Sequence, residues 1–413
     1  MAKKSLASWL SYIESQHPSE IEMGLDRGNK VLARLDLSRP KQKVITVAGT
    51  NGKGSTCAML TQYLCQQNFS VGTYTSPHFI DFNERISLNN IDCSDDLICQ
   101  AFDAIESARE DIPLTYFEFS TLAALWIFDL SQLDYWVLEV GLGGRLDSVN
   151  MVDTDLAVIT SISLDHIDWL GDDINIIAGE KAGIARKAKS LVSGVVHPPA
   201  NIAKVAADTG AYLTQKGIDF SFEKHATSWD WHNNVCSYQN LPLPSLPLQN
   251  AATVIAILLA LELTPTNSDL VDLFRTVQLK GRFQKVSHSP EVYIDVAHNP
   301  EAATELASRI GDFTIAPIAV CAMLKDKDIF NVVTSLSHRF SEWFCADLQS
   351  VRGAKAKDIT GSLPEKTLTN EYATVKEAFY AAKTTAKQQN RPIVVFGSFV
   401  TVSEYLALSQ LNE

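Results

Sequence analysis

Residues 44–56 read V-I-T-V-A-G-T-N-G-K-G-S-T, an apolar run that breaks into a glycine-rich turn and then into a helical pattern. Gly49, Gly52 and Gly54 let the backbone curl so that its N–H groups face inward on an anion. The N-terminus of the following helix adds partial positive charge, Lys53 can reach a terminal phosphate, and Ser55 or Thr56 offers a hydroxyl near a metal ion. The pattern departs twice from G-x-x-x-x-G-K-[ST]: Val47 stands where the spacing wants the first glycine, and Gly54 intervenes between Lys53 and Ser55. A glycine-rich turn with a solvent lysine is the plainer reading. Strand, turn and helix in sequence favour phosphate binding.

Other residues suit the same chemistry. Glu139 ends an apolar run just before a second glycine-rich loop, where a carboxylate packs poorly and a magnesium ligand is the better reading. His166 follows another strand end, so it shares the sheet's carboxyl edge with Glu139 and the phosphate loop, although a lone histidine is more often structural. Arg282 and Asp295 flank an expected hinge; a surface arginine and a strand-end aspartate are the bland alternatives. Asn250 opens an apolar helix, where an N-cap would explain it equally well. The aromatics of Tyr116–Phe119 can embrace a flat ring, but taken alone they suit a core as well.

The elements that must hold these residues alternate short apolar runs with helical spacing, the signature of a parallel α/β sheet. Strands are expected at 43–49, 70–75, 134–140, 155–162 and 190–196, with helices over Lys53–Gln67 and Phe119–Gln132. From Asp219 to Leu248 the pattern weakens into short strands and loops, and a buried helix begins near Asn250. After a polar stretch the rhythm restarts with strands at 291–297, 313–322, 342–348 and 392–398. The expected organisation is a domain over 1–280, a linker over 281–290 and a second domain over 291–413, with a cleft between them as the natural site.

Bulk properties narrow the class. The 413 residues are 46% hydrophobic and 20% charged, enough for sizeable cores in a soluble protein. A net charge of -13 argues against a nucleic-acid groove, but local donors can still bind small anions. Seven scattered cysteines with no C-x-x-C suggest neither a zinc site nor a disulfide framework. The N-terminal stretch lacks a secretory pattern, and the greasy run 251–263 is too short to span a bilayer and carries Glu262. A cytoplasmic monomer without membrane or nucleic-acid partners is expected.

G-T-N-G-K-G-S (49–55) is followed by T-S-P-H (75–78), F-N-E-R-I (82–86), TYFEFSTLAALWIF (115–128), LEVGLGGRLDSVN (138–150), TSISLDHIDWLG (160–171) and EKAGI (180–184). GRF (281–283), D-V-A-H-N-P (295–300) and GSF (397–399) complete a set that resembles the folylpolyglutamate synthase branch of the Mur ligases, most of all its bifunctional members, over essentially the whole chain. The resemblance implies a P-loop mononucleotide-binding parallel-sheet domain followed by a smaller Rossmann-like α/β domain. The implied activity is ATP-dependent ligation of L-glutamate to dihydropteroate, and of further glutamates to reduced folates, through an acyl phosphate and with one or two Mg2+ ions. Another Mur-type amide ligase, or a synthase lacking the dihydropteroate reaction, is the nearest alternative. A nucleotide-controlled binding protein is the alternative from another class.

Residue by residue, the resemblance implies ATP contacts at Thr50, Asn51, Gly52, Lys53, Gly54, Ser55, Asn250, Arg282 and Asp295, and metal ligands at Ser76, Glu139 and His166. Histidine is an unusual partner for so hard a cation. Folate contacts are implied at Ile21, Glu22, Met23, Thr115, Tyr116, Phe117, Glu118, Leu146, Asp147 and Ser148, the last departing from an alanine common in relatives. Arg85 and His298 are implied for the incoming glutamate, with Lys53, Lys181 and His298 catalytic. Lys181 is expected as N6-carboxylysine: nearby cations would depress its pKa and favour reaction of the free amine with carbon dioxide. An ordinary surface lysine paired with Glu180 is the alternative.

Overall fold

The structure is a computed structural model that describes residues 4–17, 22–37 and 40–410. It separates into two compact units, Met1–Val277 and Gln278–Glu413.

The first unit is built on β1 (Lys43–Ala48), β2 (Val71–Tyr74), β3 (Ile86–Leu88), β4 (Ile91–Asp92), β5 (Tyr135–Glu139), β6 (Leu156–Ile159), β7 (Ser190–Ser193) and β8 (Tyr212–Gln215). They form one sheet in the order β4-β3-β2-β5-β1-β6-β7-β8. All neighbours from β2 to β8 run parallel, and only β3 and β4 turn back antiparallel at one edge. β1 is buried at every position except its first, as an apolar strand covered on both faces should be. From β1 the chain crosses to one side of the sheet for β2, then returns to the other side for β6. The end of β1 is therefore a topological switch point, where α/β sheets open a crevice.

The helix Tyr116–Leu130 starts where Thr115 and Glu118 form a reciprocal capping box. The expected aromatic stretch is thus the first turn of that helix. β9 (Phe220–Lys224), β10 (Ser228–Asn233) and β11 (Ser237–Pro242) make a separate antiparallel sheet. It is pinned to the buried helix Leu248–Ala260 by Trp231, whose indole N–H donates to the Ala252 carbonyl at 3.0 Å. That helix accounts for the greasy run. No helix among the described residues is long and apolar enough to cross a membrane.

The second unit carries β12 (Gln284–His288), β13 (Glu291–Ile294), β14 (Ile318–Cys321), β15 (Glu342–Ala346), β16 (Thr369–Tyr372) and β17 (Ile393–Phe396), in the order β12-β13-β17-β14-β15-β16. Only β12 is antiparallel to its neighbour. The stretch 281–290, expected as a linker, instead contains β12. As an edge strand, Q-K-V-S-H has no buried residue and so lacks the apolar run that would mark it. The two units divide between Val277 and Gln278.

Trp231 is fully buried and stacks on Phe220 with ring centroids 5.9 Å apart. Trp231→Ala should lower the stability of the first unit by about 3–5 kcal/mol, read as a lower urea midpoint. An unchanged midpoint would contradict the pinning role.

Candidate active site

The phosphate-type loop leaves β1 at the switch point. Parallel register sets Glu139 of β5 beside Val47 and Ile159 of β6 beside Ala48, so both neighbouring strand ends flank the turn. The helix Lys53–Gln66 begins after Gly52, which has φ 85° and supplies no side-chain cap. Its first N–H groups are thus left for another acceptor. Ser55 and Thr56, in that first turn, bury hydroxyls that have no hydrogen-bond partner.

Close packing holds the loop. A Cβ on Gly49 would lie 1.9 Å from Thr160 Oγ1, and one on Gly52 would lie 2.5 Å from the Asn250 side-chain amide. Thr160 Oγ1 donates to the Asn51 carbonyl at 2.6 Å. The Asn51 N–H donates to Ser161 Oγ, the Thr50 N–H to the Ser161 carbonyl, and Thr50 Oγ1 to the Ser163 carbonyl. Nothing in the pattern singled out this hydroxyl-rich run, 160–163, for a role. Its signal is a set of small polar residues directly after a buried strand. Asn250 is the third residue of the helix Leu248–Ala260, not its N-cap, which is Pro247.

Lys53 Nζ turns back onto the Gly49 and Thr50 carbonyls at 3.0 and 3.1 Å. Lys181 Nζ reaches the same Gly49 carbonyl at 3.3 Å. Two lysine amino groups thus meet at one oxygen. Lys181 is only 4% exposed, and burial, reinforced by Lys53 and opposed by Asp165 and Asp147, pushes its pKa down to about 7. The surface-lysine alternative fails on packing. Glu180 pairs with Arg145 at 2.8 Å, and Gly144 lies so tightly on the Glu180–Lys181 backbone that a Cβ there would sit 2.7 Å from the Lys181 carbonyl.

Of the expected metal ligands, Glu139 is buried and accepts the Ser76 N–H at 3.1 Å. His166 is exposed, in a left-handed conformation (φ 54°), 3.9 Å from the carboxylate of Asp165. Among the described residues no three His, Cys, Asp or Glu side chains converge as a metal-holding group. That donor set still fits Mg2+, which keeps several waters and takes one or two protein oxygens beside substrate phosphates. The Glu139 carboxylate and the partnerless Ser55 hydroxyl are such oxygens.

The expected folate segments meet. Glu118, 2% exposed, receives both the Thr115 cap bonds and Arg27 Nε at 2.8 Å. Arg27 also pairs with Glu22, so this arginine, to which no role was given, ties the two segments together. Met23 and Leu170 converge on Gly143, each 3.3 Å from where its Cβ would be. Phe117 packs under Gly141, 2.6 Å from a Cβ there, and lies 6.0 Å from Tyr74. Asp147 accepts the N–H groups of Leu142 and Val149 at 2.8 and 2.9 Å, so it shapes the glycine loop, and burial raises its pKa to about 6. Ser148 is buried and Leu146 half-buried beside it. Ile21 lies outside the described residues.

Arg85 is buried between Phe82 and Tyr116, with its guanidinium carbon 5.8 and 5.4 Å from their ring centres. Its Nε donates to His78 Nδ1 at 2.7 Å, and burial together with Arg85 lowers the His78 pKa.

In the second unit, Asp295 accepts the Phe283 and Ala297 N–H groups, both at 2.8 Å, and burial raises its pKa against the pull of Arg282. The Arg282 guanidinium lies 5.4 Å over the Phe399 ring. His298 Nδ1 donates to the Val296 carbonyl at 2.8 Å, which fixes its tautomer and makes Nε2 the basic nitrogen.

Gly49→Ala should force the loop and Thr160 apart and abolish nucleoside-triphosphate binding, as measured by calorimetry on folded protein. Wild-type binding by this variant would show that the packing is not what shapes the loop.

The chain resembles known proteins over nearly its whole length. The Mur ligase middle domain matches residues 47–243, and the Mur ligase glutamate ligase domain matches residues 281–399. The dihydrofolate synthase/folylpolyglutamate synthase of Escherichia coli (strain K12) is 43% identical over 98% of this chain and 96% of its own length. Its counterpart in Haemophilus influenzae is 39% identical over 98% of both. The solved structure of E. coli FolC in complex with DHPP and ADP superposes with a TM-score of 0.95 at 42% identity, covering 100% of this chain and 99% of that one. A bifunctional folylpolyglutamate synthase/dihydrofolate synthase with Mn, AMPPNP and L-glutamate bound superposes with a TM-score of 0.92 at 41% identity, covering 99% of each chain. The chain belongs to the Mur ligase family, in its dihydrofolate synthase/folylpolyglutamate synthase branch.

Proposed function

We propose that this protein ligates L-glutamate to dihydropteroate, giving dihydrofolate, and adds further glutamates to reduced folates at the expense of ATP. The observation that carries this reading is the phosphate-type loop itself, whose helix N-terminus is uncapped and whose Lys53 folds back onto the Gly49 and Thr50 carbonyls. Such a concentration of donors and positive charge suits a polyphosphate. The names of the relatives, and the ADP, AMPPNP, Mn and L-glutamate in their solved structures, support it.

Amide formation in water requires an activated carboxylate. The N–H groups of the loop, with Lys53 swung off its own carbonyls, would hold the triphosphate for in-line transfer to the substrate carboxylate. Ser55, Glu139, Ser76 and His166 are the proposed magnesium environment; what the bound ion supplies is charge neutralisation at the phosphate oxygens. The product of that step is an acyl phosphate. The glutamate amine attacks it, and phosphate leaves the tetrahedral intermediate. Arg85, charged and set between two rings, suits a glutamate carboxylate, and His298 Nε2 suits the proton released by the attacking amine. Asn250, Arg282 and Asp295 are the proposed further nucleotide contacts. Glu22, Met23, the 115–118 turn and the 146–148 loop are proposed to embrace the pteroate.

The direct test is ADP release with L-glutamate and either dihydropteroate or a reduced folate. Release with both is expected. Release with the reduced folate alone would leave a monofunctional folylpolyglutamate synthase, and release that ignores every acceptor would favour a nucleotide-controlled binding protein.

Lys181 is proposed to act as its carbamate. Deprotonation leaves an amine that can add carbon dioxide, and the resulting anion replaces repulsion from Lys53 with attraction. Lys181→Ala should be nearly inactive and partly rescued by acetate or formate. Because the folded-state pKa is lowered to about 7, the neutral amine grows as pH rises through that value. Reactivation of carbon-dioxide-depleted enzyme, at fixed dissolved carbon dioxide, should therefore be several-fold faster at about pH 8 than at about pH 6. A fully active Lys181→Ala protein would end this assignment.

A further inference from the structure

Lys216 lies just past the end of β8 and is only 3% exposed. Its backbone is fixed to the neighbouring strand, where its N–H donates to the Ser193 carbonyl at 2.9 Å. Its ammonium group donates to Gln249 Oε1 and lies 4.8 Å from the Phe222 ring centre. Among the described residues no carboxylate pairs with it, and burial alone pushes its pKa down to about 8. A buried ammonium without a counter-charge opposes folding. It is placed no better by the helix dipole, since Gln249 is the second residue of the helix Leu248–Ala260 and the positive end of that helix is close by. Packing therefore does not explain a lysine here. A methionine would fill the same space at less cost.

What the ammonium does is hold Gln249. The next residue, Asn250, is buried with its amide against Gly52 of the phosphate loop. One turn on, Thr253 Oγ1 would lie 2.4 Å from a Cβ on Gly194, and the Thr160 carbonyl would lie 2.9 Å from the same point. The first turn of this helix is thus wedged between the phosphate loop and the ends of β6 and β7. Among the described residues, only on the β8 side is it held by a side-chain bond from a charged donor, and such bonds are stronger than neutral ones.

We propose that Lys216 is a positioning residue for the nucleotide, acting through Gln249 to seat Asn250 against the phosphate loop. The inference rests on the reading of that loop as the ATP site.

The test compares wild type, Lys216→Met, Gln249→Ala and the double variant by calorimetric ADP affinity, by KM for ATP and for L-glutamate, and by kcat. Lys216→Met should bind ADP about tenfold more weakly, the loss expected for one charge-assisted hydrogen bond, with KM for ATP rising in step. The KM for L-glutamate and kcat should stay within about twofold, because neither the acceptor nor the transferring group is touched. Gln249→Ala should reproduce the loss, and the double variant should be no worse than the worse single one. Wild-type ADP affinity in a folded Lys216→Met protein would overturn the proposal, as would losses that simply add in the double variant. Should Lys216→Met fail to fold, Gln249→Ala decides by the same affinity measurement. Failure of the wild type itself to bind ADP would instead overturn the reading of the ATP site.

Discussion

The first unit depends on three close approaches of a glycine backbone to a side chain. At Gly49, Gly52 and Gly194 the backbone lies directly against Thr160, Asn250 and Thr253, so the phosphate loop, the ends of β6 and β7 and the helix Leu248–Ala260 lock into one body. The left-handed backbone at Gly52 and the near-contact at Gly49 make glycine a requirement of sterics as well as of flexibility. Everything else in the site is placed relative to that body. Glu139 arrives by strand register, Lys181 is pressed inward by Gly144, and Thr160 turns the Asn51 carbonyl aside.

Charge is the second organising constraint. Lys53 and Lys181 share one carbonyl, while two buried carboxylates of the site, Glu139 and Asp147, are each occupied with backbone N–H groups. The Lys53 ammonium makes a phosphate welcome and makes an unmodified Lys181 ammonium costly. One charge, that of Lys53, thus bears on both substrate binding and the proposed modification of Lys181. Two arginines of the first unit are handled differently. Arg85 is set between aromatic faces and Arg27 against a carboxylate, two common ways of holding a guanidinium away from water.

Much of this was legible in the residues. Continuous apolar runs marked β1, β5, β6 and β7 because strands covered on both faces admit little else, and the glycine spacing marked the loop. The short or exposed strands β3, β4, β8, β12 and β16 carry no such run, and β12 passed for a linker. Individual site residues could be proposed from motifs, but their partners could not. That Glu118 is held by Arg27, 91 positions away, and Asn51 by Thr160 is information about contacts, which no local pattern encodes. Asn250 shows the limit from the other side: its place at a helix start was foreseen, but its place in the first turn against Gly52 required the fold.

The uncapped start of the helix Lys53–Gln66 has a consequence for the protein as a thermodynamic object. Its N–H groups and the buried Ser55 and Thr56 hydroxyls lack protein acceptors, and two lysines crowd beside them. A ligand that meets those groups binds the folded chain and not the unfolded one, so occupancy and folding are linked. Where nucleotide is abundant, the resistance of this unit to unfolding is then partly a property of its surroundings. A substitution that weakens nucleotide binding would lower the standing amount of folded protein even if it left every core contact intact.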